Sequence, residues 1–95
     1  MQRETVVQIL QRCKPELSAK YGVTRLGVFG SVARAQATDA SDVDIVVEMP
    51  PDLFQMVHMK EDLEQLFGVP VDLIRLHKHL NVFLKSRIDD EAIYV

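Results

Sequence analysis

Gly30-Ser31-Val32-Ala33-Arg34 is followed closely by Ser41-Asp42-Val43-Asp44, and the two stretches carry complementary chemistry. A turn of Gly then Ser leaves backbone N–H groups and a hydroxyl pointing outward. A helix opening at Ser31 adds the positive end of its dipole, so this half reads as a cradle for phosphate. On a strand, side chains alternate, so Asp42 and Asp44 leave one face while Val43, Ile45 and Val47 leave the other. Carboxylates that close repel unless they share a proton or a cation, and their hard oxygens suit Mg²⁺ or Mn²⁺. A third acid, Asp72, opens the apolar run Val71-Asp72-Leu73-Ile74, which reads as another strand. Three acids from two strands beside a phosphate turn suit metal-assisted phosphoryl or nucleotidyl transfer.

The elements that must hold these residues are legible in the periodicity. Val6, Val7, Ile9, Leu10, Cys13 and Leu17 predict a helix from Arg3 to Lys20, which Pro15 is expected to kink or divide and Gly22 to cap. Thr24 to Phe29 reads as a strand ended by Gly30, Ser31 to Arg34 as at most one helical turn, and Ala35 to Ser41 as a polar loop. The second strand, Asp42 to Glu48, is apolar on both faces in its later half, as a central strand is. Asp52 is the expected N-cap of a helix to Phe67, with Leu53, Phe54, Met56, Val57, Leu63, Leu66 and Phe67 as its apolar stripe and Gly68 as its cap. The third strand runs from Val71 to Leu76. A last helix runs from His79 or Leu80 to about Glu91, on Leu80, Phe83, Leu84, Ile88 and Ala92.

Connection lengths then say where the acids meet. The short link between the first two strands fits antiparallel neighbours, which puts Gly30 beside Asp42. The helical crossover from Pro51 to Phe67 fits a right-handed parallel connection, which puts the start of the third strand beside the start of the second. Gly30, Ser31, Asp42, Asp44 and Asp72 are therefore expected at one edge of a small mixed sheet of about three strands packed with helices, an α+β fold.

At 95 residues the expectation is a single domain spanning 1–95. The chain is 47% hydrophobic and 26% charged with a net charge of −3, which argues against broad electrostatic attraction to nucleic acid or anionic membrane. No apolar run approaches a membrane span and the N-terminus has no secretory pattern, so a cytoplasmic location is expected. Cys13 sits in the helical apolar pattern and reads as a buried core thiol. His58, His77 and His79 read as surface or helix-start residues, Met49, Met56 and Met59 as core or interface filling, and Glu61, Asp62 and Glu64 as a solvated helix face.

A Gly-Ser turn after an apolar strand, an Asp-x-Asp strand start a dozen residues on and a third Asp on a later strand resemble the polymerase β-type nucleotidyltransferase superfamily. Within it the chain is similar to the minimal nucleotidyltransferase (MNT) family over nearly its whole length, with Leu26 to Val47 as the Phe-Gly-Ser-x-Ala-Arg…Ser-Asp-x-Asp core and Val71-Asp72-Leu73 as the third acid. The resemblance implies that Asp42, Asp44 and Asp72 are the catalytic and metal-holding residues, with two Mg²⁺ ions, or Mn²⁺, as cofactor. The resemblance further implies that Asp72 takes the proton of the acceptor hydroxyl. It implies Gly30, Ser31, Arg34 and Ser41 as the nucleotide-binding residues and ATP as substrate. Ala35 departs from the glycine that many relatives carry after the Ala-Arg pair.

Members this short are similar to the antitoxin half of HEPN/MNT toxin–antitoxin pairs. The resemblance thus implies a hetero-oligomer with a HEPN-type toxin, whose tyrosine hydroxyl receives AMP. Two alternatives stand beside it: a module that neutralises its partner by occlusion without chemistry, and a subunit that modifies a small molecule, as aminoglycoside nucleotidyltransferases do.

Overall fold

The elements of the computed structural model follow the order α1 (Arg3–Tyr21), β1 (Arg25–Phe29), α2 (Gly30–Ala33), β2 (Val43–Glu48), α3 (Leu53–Phe67), β3 (Val71–Arg75), α4 (Val82–Glu91) and β4 (Ile93–Tyr94). The structure describes residues 1–38 and 41–95; part of the polar loop expected over 35–41 therefore lies outside the described residues. The strands form one mixed sheet in the order β3-β2-β1-β4. β2 is central, antiparallel to β1 and parallel to β3, as its two apolar faces and the connection lengths predict.

The sheet has one strand more than the sequence suggests. Ile93 and Tyr94 add β4 antiparallel to β1, opposite Val28 and Gly27. A two-residue strand has no period to detect, but Gly27 marks it. A Cβ at Gly27 would lie 2.8 Å from the Ile93 carbonyl oxygen and 2.9 Å from the Tyr94 ring, so the last strand reaches β1 only over a bare backbone.

Two apolar layers sandwich the sheet. On one face Leu26, Val28, Val43, Ile45 and Val47 pack under α1 and α3, with Val6, Leu10, Cys13, Leu17, Met59, Leu63 and Phe67 all buried, the Cys13 thiol included. On the other face Phe29 and Val46 pack beneath Ile88 of α4. Tyr21 and Lys20 at the end of α1 tie to α3 through Asp62, and Glu64 accepts a hydrogen bond from the N–H of Val71 at 3.0 Å. Asp62 and Glu64 are thus braces rather than members of a solvated face. The Tyr21 and Lys20 hydrogen bonds hold the Asp62 carboxyl below its ordinary range.

Several helix details differ from expectation for local reasons. α1 runs through Pro15 undivided. The bond that Pro15 cannot donate would go to Gln11, and both residues are exposed, so water can serve that carbonyl. On α3 the buried positions are Met59, Leu63 and Phe67, while Leu53, Phe54, Val57 and Leu66 are exposed. The expected stripe spans more of the helix than a single sheet face can cover. α4 begins at Val82 because Asn81 caps it, its side chain accepting from the N–H groups of Phe83 and Leu84. Phe83 points outward, while Leu80, Leu84 and Ala92 are partly buried against the second layer. Among the described residues no helix is long and apolar enough to cross a membrane.

Candidate active site

Register brings the acids together. Phe29, the last residue of β1, is opposite Asp44, and Asp44 is in turn opposite Asp72 on β3. Parallel neighbours lie about 4.8 Å apart and opposed residues share a face, so Asp44 and Asp72 project side by side. That face is the one α4 covers, because Asp44 shares it with Val46 and Asp72 shares it with Ile74, both packed towards α4. The acids therefore occupy the edge where β2 and β3 begin and β1 ends.

The Gly30-Ser31 turn closes on the same spot. Gly30 has φ +73°, and a Cβ there would collide with Asp44 Oδ2 and lie 3.0 Å from its Cγ. Gly30 opens the four-residue helix α2, whose N-cap is Phe29 with no side-chain cap bond. Ser31 therefore sits in the first turn instead of capping it, among N–H groups that no preceding turn satisfies. The loop after α2 is held by backbone bonds from Arg34 to Gly30, from Ala35 to Val32 and from Gln36 to Ser31. Ala35 has φ +57°, in the left-handed region.

Asp44 is half-buried, whereas Asp42 and Asp72 are exposed. Burial raises the Asp44 carboxyl above its ordinary range and the charge of Asp72 adds to the rise. Arg87 pulls it down, and Asp42 and Arg34 act more weakly, upward and downward respectively. Among the described residues no group of three or more His, Cys, Asp or Glu side chains is drawn into a metal-holding cluster. The three acids are brought to one edge by the backbone, with the exposed Asp42 and Asp72 not gathered around a common centre. The oxygen donors and the crowded negative charge at Asp44 fit a hard divalent cation.

The remaining expected residues have defined partners. The Ser41 hydroxyl accepts from the N–H of Thr38 at 2.9 Å, bracing the loop ahead of Asp42. Arg34 is ion-paired with Glu91, and its Nε donates to Gln36. His58, His77 and His79 are exposed, and His77 Nδ1 accepts from the N–H of His79 in the turn before α4. Arg87 and Glu91 belong to the site's surroundings and were not among the expected residues. Their only signal in the sequence is a four-residue charge spacing of a kind common on solvated helices. A surface hollow lies away from the acids, between α1 and α3 beside Cys13 and Asp62, while Asp42 and Asp72 stand exposed at the acid edge.

The pattern of the family described as "Nucleotidyltransferase domain" matches residues 10–95. The protein adenylyltransferase MntA of Thermococcus cleftensis is 37% identical over 94 residues, covering 97% of this chain and 94% of its own. A solved structure described as a candidate minimal nucleotidyltransferase superposes with a TM-score of 0.78 at 35% identity, covering 98% of this chain and 95% of that one. A further structure, the tri-AMPylated Shewanella oneidensis HEPN toxin in complex with MNT antitoxin, matches at a TM-score of 0.60 and 17% identity, covering 97% of this chain and 66% of that one, a likeness of fold. With the family pattern across most of its length and a relative this similar from end to end, the chain belongs to the minimal nucleotidyltransferase family and is a nucleotidyltransferase.

Proposed function

We propose that this nucleotidyltransferase is an antitoxin that moves AMP from ATP to a tyrosine hydroxyl of a HEPN-type toxin and thereby silences it. The observation that carries the reading is the pairing of Asp44 with Asp72 at the edge where the Gly30 turn packs against Asp44. The kinship with a protein adenylyltransferase supports the choice of AMP, and the fold shared with an antitoxin bound to an AMPylated HEPN toxin supports the choice of partner.

In this reading Asp42, Asp44 and Asp72 hold Mg²⁺ or Mn²⁺. The cation, when bound, neutralises the charge that builds on the α-phosphate and on the departing pyrophosphate. The N–H groups and hydroxyl of Gly30-Ser31 receive phosphate oxygens, Arg34 adds a cationic contact and Ser41 orders the loop leading into Asp42. Asp72, exposed at the edge, accepts the proton of the acceptor hydroxyl. The acceptor oxygen bonds to the α-phosphorus, the bond from that phosphorus to the bridging oxygen breaks, and pyrophosphate leaves. Asp42 and Asp72 are exposed at this edge, which supports a partner protein bringing the acceptor to it.

Incubation of the protein with radiolabelled ATP, Mg²⁺ and its HEPN partner is expected to label the partner, with a mass increase of adenylyl groups on tyrosine. Asp44→Asn is expected to abolish it. Equal labelling by that variant would overturn the mechanism, and full protection of cells by an unlabelled complex would establish occlusion instead.

A further inference from the structure

Glu91 is the last residue of α4, where the negative end of the helix dipole disfavours a carboxylate. Its side chain is only 14% exposed, which disfavours the charge again. Two guanidinium groups offset both costs. Arg34, from the loop after α2, pairs with Oε2, and Arg87, one turn earlier on α4, places Nε 3.5 Å from Oε1. Each carboxylate oxygen thus holds one arginine, and the pair joins the end of α4 to the phosphate turn.

The position of these arginines gives the pairing its consequence. Ile88, the neighbour of Arg87, packs on Phe29 and Val46 of the face that carries Asp44, and Arg34 follows the Gly30 turn that closes on Asp44. Both guanidinium groups therefore lie on the side of the sheet where the acids stand, and their charge acts on Asp44 with the sign opposite to that of Asp72 and Asp42. Left unheld, the arginines would form the charge-assisted pairs that carboxylates and guanidinium groups readily make. Such pairs would close the acids to a cation and the arginines to an anion. We propose that Glu91 is a positioning residue that holds Arg34 and Arg87 off Asp44 and Asp72, keeping the acids open to a divalent cation and both arginines turned towards the triphosphate. The inference rests on the cation-binding role of the acids argued above, and it adds Arg87 to the groups that meet the nucleotide.

The test uses Mn²⁺ alone, followed by electron paramagnetic resonance, and then the non-transferable analogue α,β-methylene-ATP, followed by calorimetry. Glu91→Gln keeps size and shape but releases the arginines; its Mn²⁺ affinity is expected to fall about tenfold, the equivalent of about 1.4 kcal/mol. Adding Arg34→Ala and Arg87→Ala to that variant is expected to restore Mn²⁺ binding without restoring binding of the analogue. A clamp that only fastens α4 to α2 would lower the melting temperature without moving Mn²⁺ affinity, and the rescue would fail. Either result overturns the proposal.

Should Glu91→Gln not fold, Arg34→Ala with Arg87→Ala on the native Glu91 background gives the answer. Mn²⁺ is then expected to bind at least as tightly as to the native protein and the analogue about tenfold more weakly; unchanged affinity for the analogue overturns the proposal. If the native protein and Asp44→Asn bind Mn²⁺ alike, the reading of the acids themselves has failed. If only Asp44→Asn loses Mn²⁺ while Glu91→Gln keeps it, the positioning role alone has failed.

Discussion

Gly30 and Asp44 are packed so closely that the space a β-carbon would take at position 30 is filled by the Asp44 carboxylate. The contact joins the two halves of the site, since one residue begins the phosphate turn and the other stands at the centre of the acids. Gly30 also has φ +73°, a region costly for any other residue. Gly30→Ala is therefore expected to destabilise the fold by about 1–3 kcal/mol from backbone strain and to displace Asp44 as well. Thermal unfolding should show the first effect. Partner labelling under conditions where the variant remains folded should show the second, as a loss beyond what the folded fraction explains.

Asp44 links the site to stability in a direction opposite to most carboxylates. Burial, with the charge of Asp72 adding to it, raises its carboxyl in the folded state, so the native protein binds the proton more tightly than the unfolded chain does. Stability from this group therefore falls as pH rises through the ordinary carboxylate value to the raised one, and the deficit is fully present at neutral pH. Asp44→Asn is expected to melt higher than the native protein at pH 7 in chelator, with the advantage shrinking towards zero as the pH drops below the carboxylate range. Adding Mn²⁺ should raise the melting temperature of the native protein by mass action and leave Asp44→Asn nearly unmoved. A variant that melts no higher in chelator would show that Asp44 is not under the repulsion and burial described.

Ala35 carries a left-handed backbone, φ +57°, a region that favours glycine. Relief of about 1–2 kcal/mol of strain exceeds the extra unfolded-state freedom of glycine, so Ala35→Gly should gain roughly 0.5–1 kcal/mol. In a domain of this size that corresponds to a few degrees in melting temperature. No loss of labelling is expected, since no side-chain contact of the site is removed.

The two faces of α3 can be told apart by paired substitutions. Met59 is fully buried between the helix and the sheet, whereas Phe54 is 80% exposed. Met59→Ala should cost about 2–5 kcal/mol and Phe54→Ala no more than about 0.5 kcal/mol in chemical denaturation. Comparable losses would mean that the apolar stripe expected from the sequence, with Phe54 in it, is the buried one after all.

Local pattern accounts for what was legible. Gly30, Asp44 and Asp72 lie at the ends and starts of strands whose alternation is plain, and two connections of characteristic length bring those ends to one edge. The less predictable elements depended on contacts with no short-range trace. Ile93 and Tyr94 are a strand only because Gly27 lets them close on β1, and Asp62 and Glu64 are braces only because Tyr21, Lys20 and Val71 come within reach.

By itself the sequence determined the kinds of group available and their order along the chain: a small-residue turn, two carboxylates on strands with a third just ahead of one, a right-handed crossover and the family these features define. These depend on side-chain period and loop length, which act over a few residues. The tertiary structure alone decided which neighbours each charge meets. Asp44 became half-buried beside Asp72, and Glu91 took hold of Arg34 from 57 residues away. The physical reason is that burial and Coulomb forces depend on distance in space, and only the packing of α4 over the sheet sets those distances.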